Sequence, residues 1–542
     1  MSTWQEKAAA KRASLAALIP DELKLPSLPG AEVLDVTSYP LDSVLSAREL
    51  EITDTADVGI LLEKMASGVW TATEVLLAYY KRALAAQQLV NCLTEILIEQ
   101  GLARAKELDE HFKATGKTVG PLHLKDQIDV KDVELTFGYV GWIGRVSKEN
   151  SVCAQLLLDQ GAVLYVRTNI PQALMFGEAF NNVFGATSNP FNRNLTCGGS
   201  SGGEGALIGM KGSPLGVGSD LGGSIRIPAA FQGLYGFRPS YNRVPYCGST
   251  NSMEGQEGIP SVLGPLSCSV NGLKIFMKAM ADAKPWLSDP VALRLPWNED
   301  AYKLADHGGE GGQLCFAILW DDGVCKPMPP YTRALQETKK ALEAAGHKVI
   351  DWVPFESATG WKIVSAIYNA DGGQDIEQDC ALSGEPRLGW VLDKNAKHLT
   401  TYEYWQVCRA KTTFIKKHLD HWNNTAPSTG TGRPVDAIIA PACANAPQPH
   451  NKPQYIYYTA LSNLCDYSTG VFPVTAVDPA VDVKLPAHEF RSEGDKMVYE
   501  QYDPEFARGA PISLQCIGRK NEEEAVIRMT EIIDAAVKKS KT

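Results

Sequence analysis

Residues 153–171 read CAQLLLDQGAVLYVRTNIP: a helical run, a turn at Gly161, then an apolar strand that stops at Pro171. The same scheme stands upstream. NCLTEILIE (91–99) predicts a strand, and LARAKELDEHFKATGK (102–117) predicts a helix with Gly120-Pro121 as its stop. LHLKDQIDV (122–130) then predicts a short strand or strand end. Alternation of this kind predicts βαβ units, hence an α/β fold whose mixed, mostly parallel sheet is covered by helices on both faces.

Further helices are expected over 3–18 and 56–87; in the second, Thr71 to Glu74 fits a T-x-x-E capping box ahead of EVLLAYYKRALAAQ. Near the C-terminus DAIIAPA (436–442) predicts a strand and NEEEAVIRMTEIIDAAVKK (521–539) a closing helix. Segments 284–313, 421–434 and 478–503, rich in Pro, Gly or charge, are expected as surface loops. No internal repeat or sharp change of composition divides the chain. One large domain over 46–535 is therefore expected, preceded by an N-terminal helical extension over 1–45.

With 63 acids against 52 bases the formal charge is −11, which argues against binding nucleic acid or an anionic membrane through bulk charge. The 542 residues, 44% hydrophobic and 21% charged, are those of a globular protein. Twelve cysteines are scattered without a CxxC pair and read as thiols of a reducing compartment. The N-terminal residues carry charge where a signal peptide needs an apolar core, and no stretch is long and apolar enough to span a bilayer. The terminal KSKT is not the peroxisomal SKL address. The expectation is a cytoplasmic protein, in which the sequons at Asn194 and Asn423 go unused.

The densest chemistry lies in CGGSSGGEGALIGMKGSPLGVGSDLGGSIRIPAAFQGLYG (197–236), where thirteen of the 47 glycines fall in forty residues. Such clustering implies positive φ, close backbone approach, or N–H groups aimed at a negative charge. Phosphate fails on spacing. Gly209-Met210-Lys211-Gly212 departs from the P-loop pattern, and Gly216, Gly218 and Gly222 stand one residue too wide for a dinucleotide fingerprint. An oxyanion fits, because Ser200, Ser201, Ser213, Ser219 and Ser224 are interleaved with the glycines.

Two serine chemistries are open on the residues alone. Gly198-Gly199-Ser200-Ser201-Gly202 satisfies G-x-S-x-G, the nucleophile elbow, which needs a later acid and histidine; His307, His347, His398, His418, His421, His450 and His488 are all available. Alternatively a lysine kept neutral by burial can take the serine proton, and Lys125 in GPLHLKDQIDV is best placed by local sequence.

The chain resembles the amidase signature family and, within it, the fungal acetamidases and general amidases. The resemblance is carried by TNIPQALM (168–175), NPFN (189–192), CGGSSGGEGA (197–206), GVGSDLGGSIRIPAAF (216–231), YGFRPS (235–240), NSMEGQE (251–257) and YDPEFARGAPISLQCIGR (502–519). It implies a serine amidase that acts on a small-molecule amide without cofactor or metal and forms an acyl-enzyme; a homodimer is compatible with it. Ser224 is the implied nucleophile, Ser200 the bridging serine after a cis peptide from Gly199, and Lys125 the base. Backbone N–H groups of Leu221, Gly222, Gly223 and Ser224 are the implied oxyanion hole. Leu174 stands at an implied main-chain contact to substrate, and Ser201, Asp220 and Arg226 are implied supports of the loop. One departure is notable: the approach Gly120-Pro121-Leu122-His123-Leu124 is shorter than the family's usual G-x-P-[IV]-S-x-K-D, with His123 where a small residue is usual. It raises the expectation of a strand that begins late or of a displaced Lys125.

Other constellations are set aside. His418 and His421 form HxxH without a third ligand and are expected as surface histidines; Cys197 is expected as a small packed residue; Lys131 as a solvated lysine; Trp297, Trp320 and Trp405 as core or pocket walls. Two readings compete with the hydrolase. One is an amidotransferase subunit, which would need partner subunits; the other is a catalytically silent scaffold member of the fold.

Overall fold

The structure is a computed structural model that describes residues 2–115, 123–388 and 396–541. Eleven strands form one sheet: β1 Leu93–Ile96, β2 His123–Lys125, β3 Val166–Thr168, β4 Leu215–Asp220, β5 Tyr235–Arg238, β6 Val262–Ser267, β7 Cys315–Ile318, β8 Lys348–Asp351, β9 Ala437–Pro441, β10 Thr469–Ala476 and β11 Pro511–Ile517. Their spatial order is β1-β3-β2-β4-β6-β5-β10-β11-β9-β7-β8. The sheet is mixed, flanked by helices, and runs through the whole chain as one domain.

The balance of pairings corrects the expectation of a mostly parallel sheet. Parallel pairs are confined to β3-β2-β4 on one flank and β9-β7-β8 on the other. Every pairing between β4 and β9 through the centre is antiparallel, as is β1 with β3. The physical reason is insertion. β4 and β5, joined by helix Arg226–Phe231, run the same way as a βαβ unit should, but β6 enters later and pairs antiparallel with both. β11 does the same between β10 and β9, which helix Tyr457–Cys465 connects. Local alternation reports the connection and is blind to a distant strand that fills the gap.

Helix Trp4–Ala17 starts in a capping box at Thr3 and is tied to the body by Lys11, which bridges Glu95 at 2.5 Å and Glu134 at 2.9 Å. The expected helix over 56–87 is two helices, Val58–Ala66 and Ala72–Val90. Gly68 at φ +73° ends the first, and the Thr71–Glu74 box opens the second. β1 is shorter than read, since helix Ile98–Thr115 begins two residues after it. Closing helix Glu523–Lys539 sends Val526, Met529 and Ile533 into the main core beside Val471 and Leu514. The expected loop over 478–503 contains helix Glu493–Gln501. The proposed stop at Gly120-Pro121 lies outside the described residues.

Two side-chain expectations change. His418 is a buried histidine on the inner face of helix Thr401–Asn423, packed among Trp352, Phe355 and Phe414 and 2.9 Å from the Tyr467 hydroxyl; burial pushes its imidazole down to about 4. Trp405 stands 63% exposed on the outer face of the same helix and is no wall. Cys197 is buried as expected. Among the described residues no helix is long and apolar enough to cross a membrane.

Candidate active site

β2 lies parallel to β4, with Leu124 in register with Val217, and this puts Lys125 under the glycine segment. The Lys125 ammonium side chain is fully buried, and Nζ lies 2.7 Å from Ser200 Oγ and 2.8 Å from Ser219 Oγ. Burial penalises its charged form and pulls it down to about 7, against the opposing pull of Glu204 and Asp220. The expected displacement of Lys125 is therefore absent. The residues before His123 and the His123 side chain lie outside what is described.

Ser200 enters the site across a cis Gly199–Ser200 bond. Gly199 has to be glycine: a Cβ there would stand 2.6 Å from Glu178 N and 2.7 Å from Phe176 O. Ser201 Oγ donates to Ser219 O at 3.3 Å and accepts from Ser219 N at 3.2 Å, and its own N–H donates to Ser224 O at 3.1 Å. The two serine motifs are thus stitched together by Ser201.

Asp220, at the end of β4, holds the turn that follows. Its carboxylate takes both Nε and Nη2 of Arg226 at 3.0 Å, and accepts the N–H groups of Gly223 at 2.8 Å and Ile225 at 3.2 Å. Burial alone would raise this carboxyl; the charge and hydrogen bonds of Arg226, with Asn463, hold it down at about 2. Arg226 is completed by Asn463 Oδ1 at 2.7 Å and Gln515 Oε1 at 3.1 Å.

Of the four N–H groups of the implied oxyanion hole, that of Gly223 already donates to Asp220. Gly223 is required for its conformation, φ +133°, and because a Cβ would meet Thr459 Oγ1 at 2.4 Å. Among the described residues the N–H groups of Leu221, Gly222 and Ser224 have no protein acceptor. They edge a cavity of about 480 Å³ that also exposes the Ser224 side chain, with Leu174, Phe176 and Trp361 among its walls. Leu174 and its neighbour Ala173 both sit at positive φ, 59° and 62°, a conformation that costs of order 1 kcal/mol each and is held here by the Ser252 hydroxyl on Ala173 O.

The structure brings Lys125, Ser200, Ser201, Asp220, Arg226 and the 221–224 turn to one place beside Leu174. Among the described residues no histidine lines the cavity, so the partner that the nucleophile-elbow reading needs is not found there. Ser219, the second acceptor of Lys125, was named among the serines of the glycine segment but given no role of its own. Sequence reasoning missed Tyr368, Thr459 and Asn463, which reach the turn from far along the chain and have no local signal, and gave no role to Gln515 inside the stretch 502–519.

The amidase family model matches residues 74–527. The chain is 41% identical over 538 residues to an acetamidase of Emericella nidulans, covering 98% of this chain and 97% of that one. An acetamidase of Aspergillus oryzae is also 41% identical, over 98% of both chains. Among solved structures, a fatty acid amide hydrolase superposes with a TM-score of 0.90 at 32% identity, over 98% of this chain and 95% of the other.

Proposed function

Because the chain belongs to the amidase signature family, we propose that it hydrolyses a monocarboxylic acid amide to the carboxylate and ammonia, with Ser224 as nucleophile, Ser200 as proton bridge and Lys125 as base. The observation that carries this reading is the fully buried Lys125, 2.7 Å from Ser200 and held near pH 7 by desolvation. A lysine lowered this far can lose its proton near neutral pH, and a neutral amine has the lone pair that a base needs.

In this mechanism Ser200 passes its proton to Lys125 as it takes the proton of Ser224. The freed Ser224 Oγ attacks the amide carbon. The oxygen becomes an oxyanion and accepts from the N–H groups of Leu221, Gly222 and Ser224; one such donor is worth about 3 kcal/mol of barrier. Collapse breaks the C–N bond, and the proton returns from Lys125 through Ser200 to the departing amine, which leaves as ammonia. Water then attacks the acyl-Ser224 ester by the same relay and releases the carboxylate. No cofactor enters the cycle. The names of the fungal relatives favour short acyl amides, and a cavity of about 480 Å³ admits larger ones. All twelve cysteines are unpaired, which supports a cytoplasmic setting.

Labelling with a fluorophosphonate, followed by peptide mapping, tests the assignment. Label on Ser224 in the wild type that is lost in Lys125→Ala is the expected result. Label on Ser200 or Ser201 would return the nucleophile-elbow reading, and no label together with no ammonia from simple amides would favour the scaffold. Ammonia transfer only with added partner subunits would favour the amidotransferase.

A further inference from the structure

The oxyanion turn is held from outside the glycine segment by two hydroxyls. Tyr368, the last residue of helix Ser357–Tyr368, donates to Leu221 O at 2.6 Å; Thr459 Oγ1 donates to Gly222 O at 2.7 Å. The two bonds act on different peptide planes. In a trans peptide the C=O and the N–H of one plane point in opposite directions. Thr459 therefore fixes the plane whose N–H belongs to Gly223, and that N–H is already taken by Asp220. Tyr368 fixes the plane whose N–H belongs to Gly222, and that N–H has no other restraint among the described residues.

We infer that Tyr368 is a positioning residue for the proposed amide hydrolysis: by pulling Leu221 O out of the cavity it aims the Gly222 N–H at the developing oxyanion. The inference rests on the serine-amidase reading. Four further observations support it. Tyr368 is 6% exposed and borders the cavity, so its hydroxyl works in a dry environment where a bond to a carbonyl is strong. Burial and the nearby Asp220 charge push its phenol upward, so it remains a donor throughout the working pH range. Gly222 lies close against it: a Cβ there would stand 3.1 Å from the Tyr368 hydroxyl, with the next nearest atoms at ordinary contact distance. Trp361 and Ser365, on the same helix, line the cavity, so the wall that seats the substrate also sets the donor.

The experiment is Tyr368→Phe, which keeps the ring and deletes the bond. The expected result is a roughly tenfold fall in kcat on acetamide with KM within about twofold. Affinity for a trifluoromethyl ketone, whose adduct bears an oxyanion, falls by the same factor. Unchanged kcat and unchanged ketone affinity, or a rise in KM alone, would overturn the role of Tyr368 and leave the amidase intact. A wild type that neither releases ammonia nor takes the fluorophosphonate label would remove the amidase reading, and this inference with it. Gly222→Ala attacks the same bond from the other side and serves if Tyr368→Phe does not fold. With both variants in hand, a double variant no worse than the weaker single variant supports the coupling, and losses that simply multiply overturn it.

Discussion

Two basic side chains are fully buried within one loop of each other, and their surroundings make them opposites. Arg226 meets a carboxylate through two nitrogens at 3.0 Å and two side-chain amide oxygens at 2.7 and 3.1 Å. Lys125 meets only hydroxyls, at 2.7 and 2.8 Å, with the carboxylates of Glu204 and Asp220 acting from farther out. Removing a charge from water is costly in both places. Around Arg226 the ion pair and hydrogen bonds offset that cost. Around Lys125 nothing offsets it in full, and the cheaper response is to lose the proton. Burial is therefore common to both regions, and the chemistry of the partner decides whether it yields a structural clamp or the base proposed here.

The comparison breaks most visibly at the lysine. Lys125→Met keeps the bulk and removes the base, and kcat/KM is expected to fall by about 10⁴-fold or more with the circular dichroism spectrum unchanged. Activity within tenfold of wild type would mean that the hydroxyl-lined region holds no base at all. The clamp should fail differently. Asp220→Asn leaves the Arg226 charge buried without its carboxylate, and urea unfolding is expected to show about 3–5 kcal/mol of lost stability. The double variant Asp220→Asn/Arg226→Met should recover part of that loss. An equal or larger loss in the double variant would contradict the clamp.

The pH profile sharpens the contrast. With the lysine at about 7, its neutral form is lost as pH falls, so log kcat is expected to drop by about one per pH unit well below 7 and to level off above it. A rate limb centred near the ordinary lysine value of 10.5 would show that desolvation does not govern the group. The smallest effect belongs to Ser219→Ala. Losing one acceptor from the ammonium favours the neutral form, so the midpoint of the limb should move down by less than one pH unit, with kcat on the plateau within about fivefold.

The residues proposed to do the chemistry were legible because they stand in short motifs of unusual composition. Gly199 and Gly223 are there because no side chain fits, and the serines between them because a glycine turn exposes hydroxyls. Lys125 was legible as an apolar-flanked lysine at a strand end. Other features were not legible. Tyr368 reaches Leu221 over 147 positions, Thr459 reaches Gly222 over 237, and Gln515 reaches Arg226 over 289. His418 looked solvated because an HxxH on a helix does not reveal which face turns inward.

The sequence by itself determined the strand–helix alternation, the clustering of glycine and serine in one segment, and which side chains could act as nucleophile, bridge and base. Only the tertiary structure decided that β6 and β11 insert to make the centre of the sheet antiparallel, that Gly223 gives its N–H to Asp220, and that Tyr368 steadies the donor beside it. The division has a physical cause. Backbone preference and functional-group chemistry are properties of a few adjacent residues, whereas the desolvation of Lys125 and the partners of a buried polar atom are properties of everything packed around it.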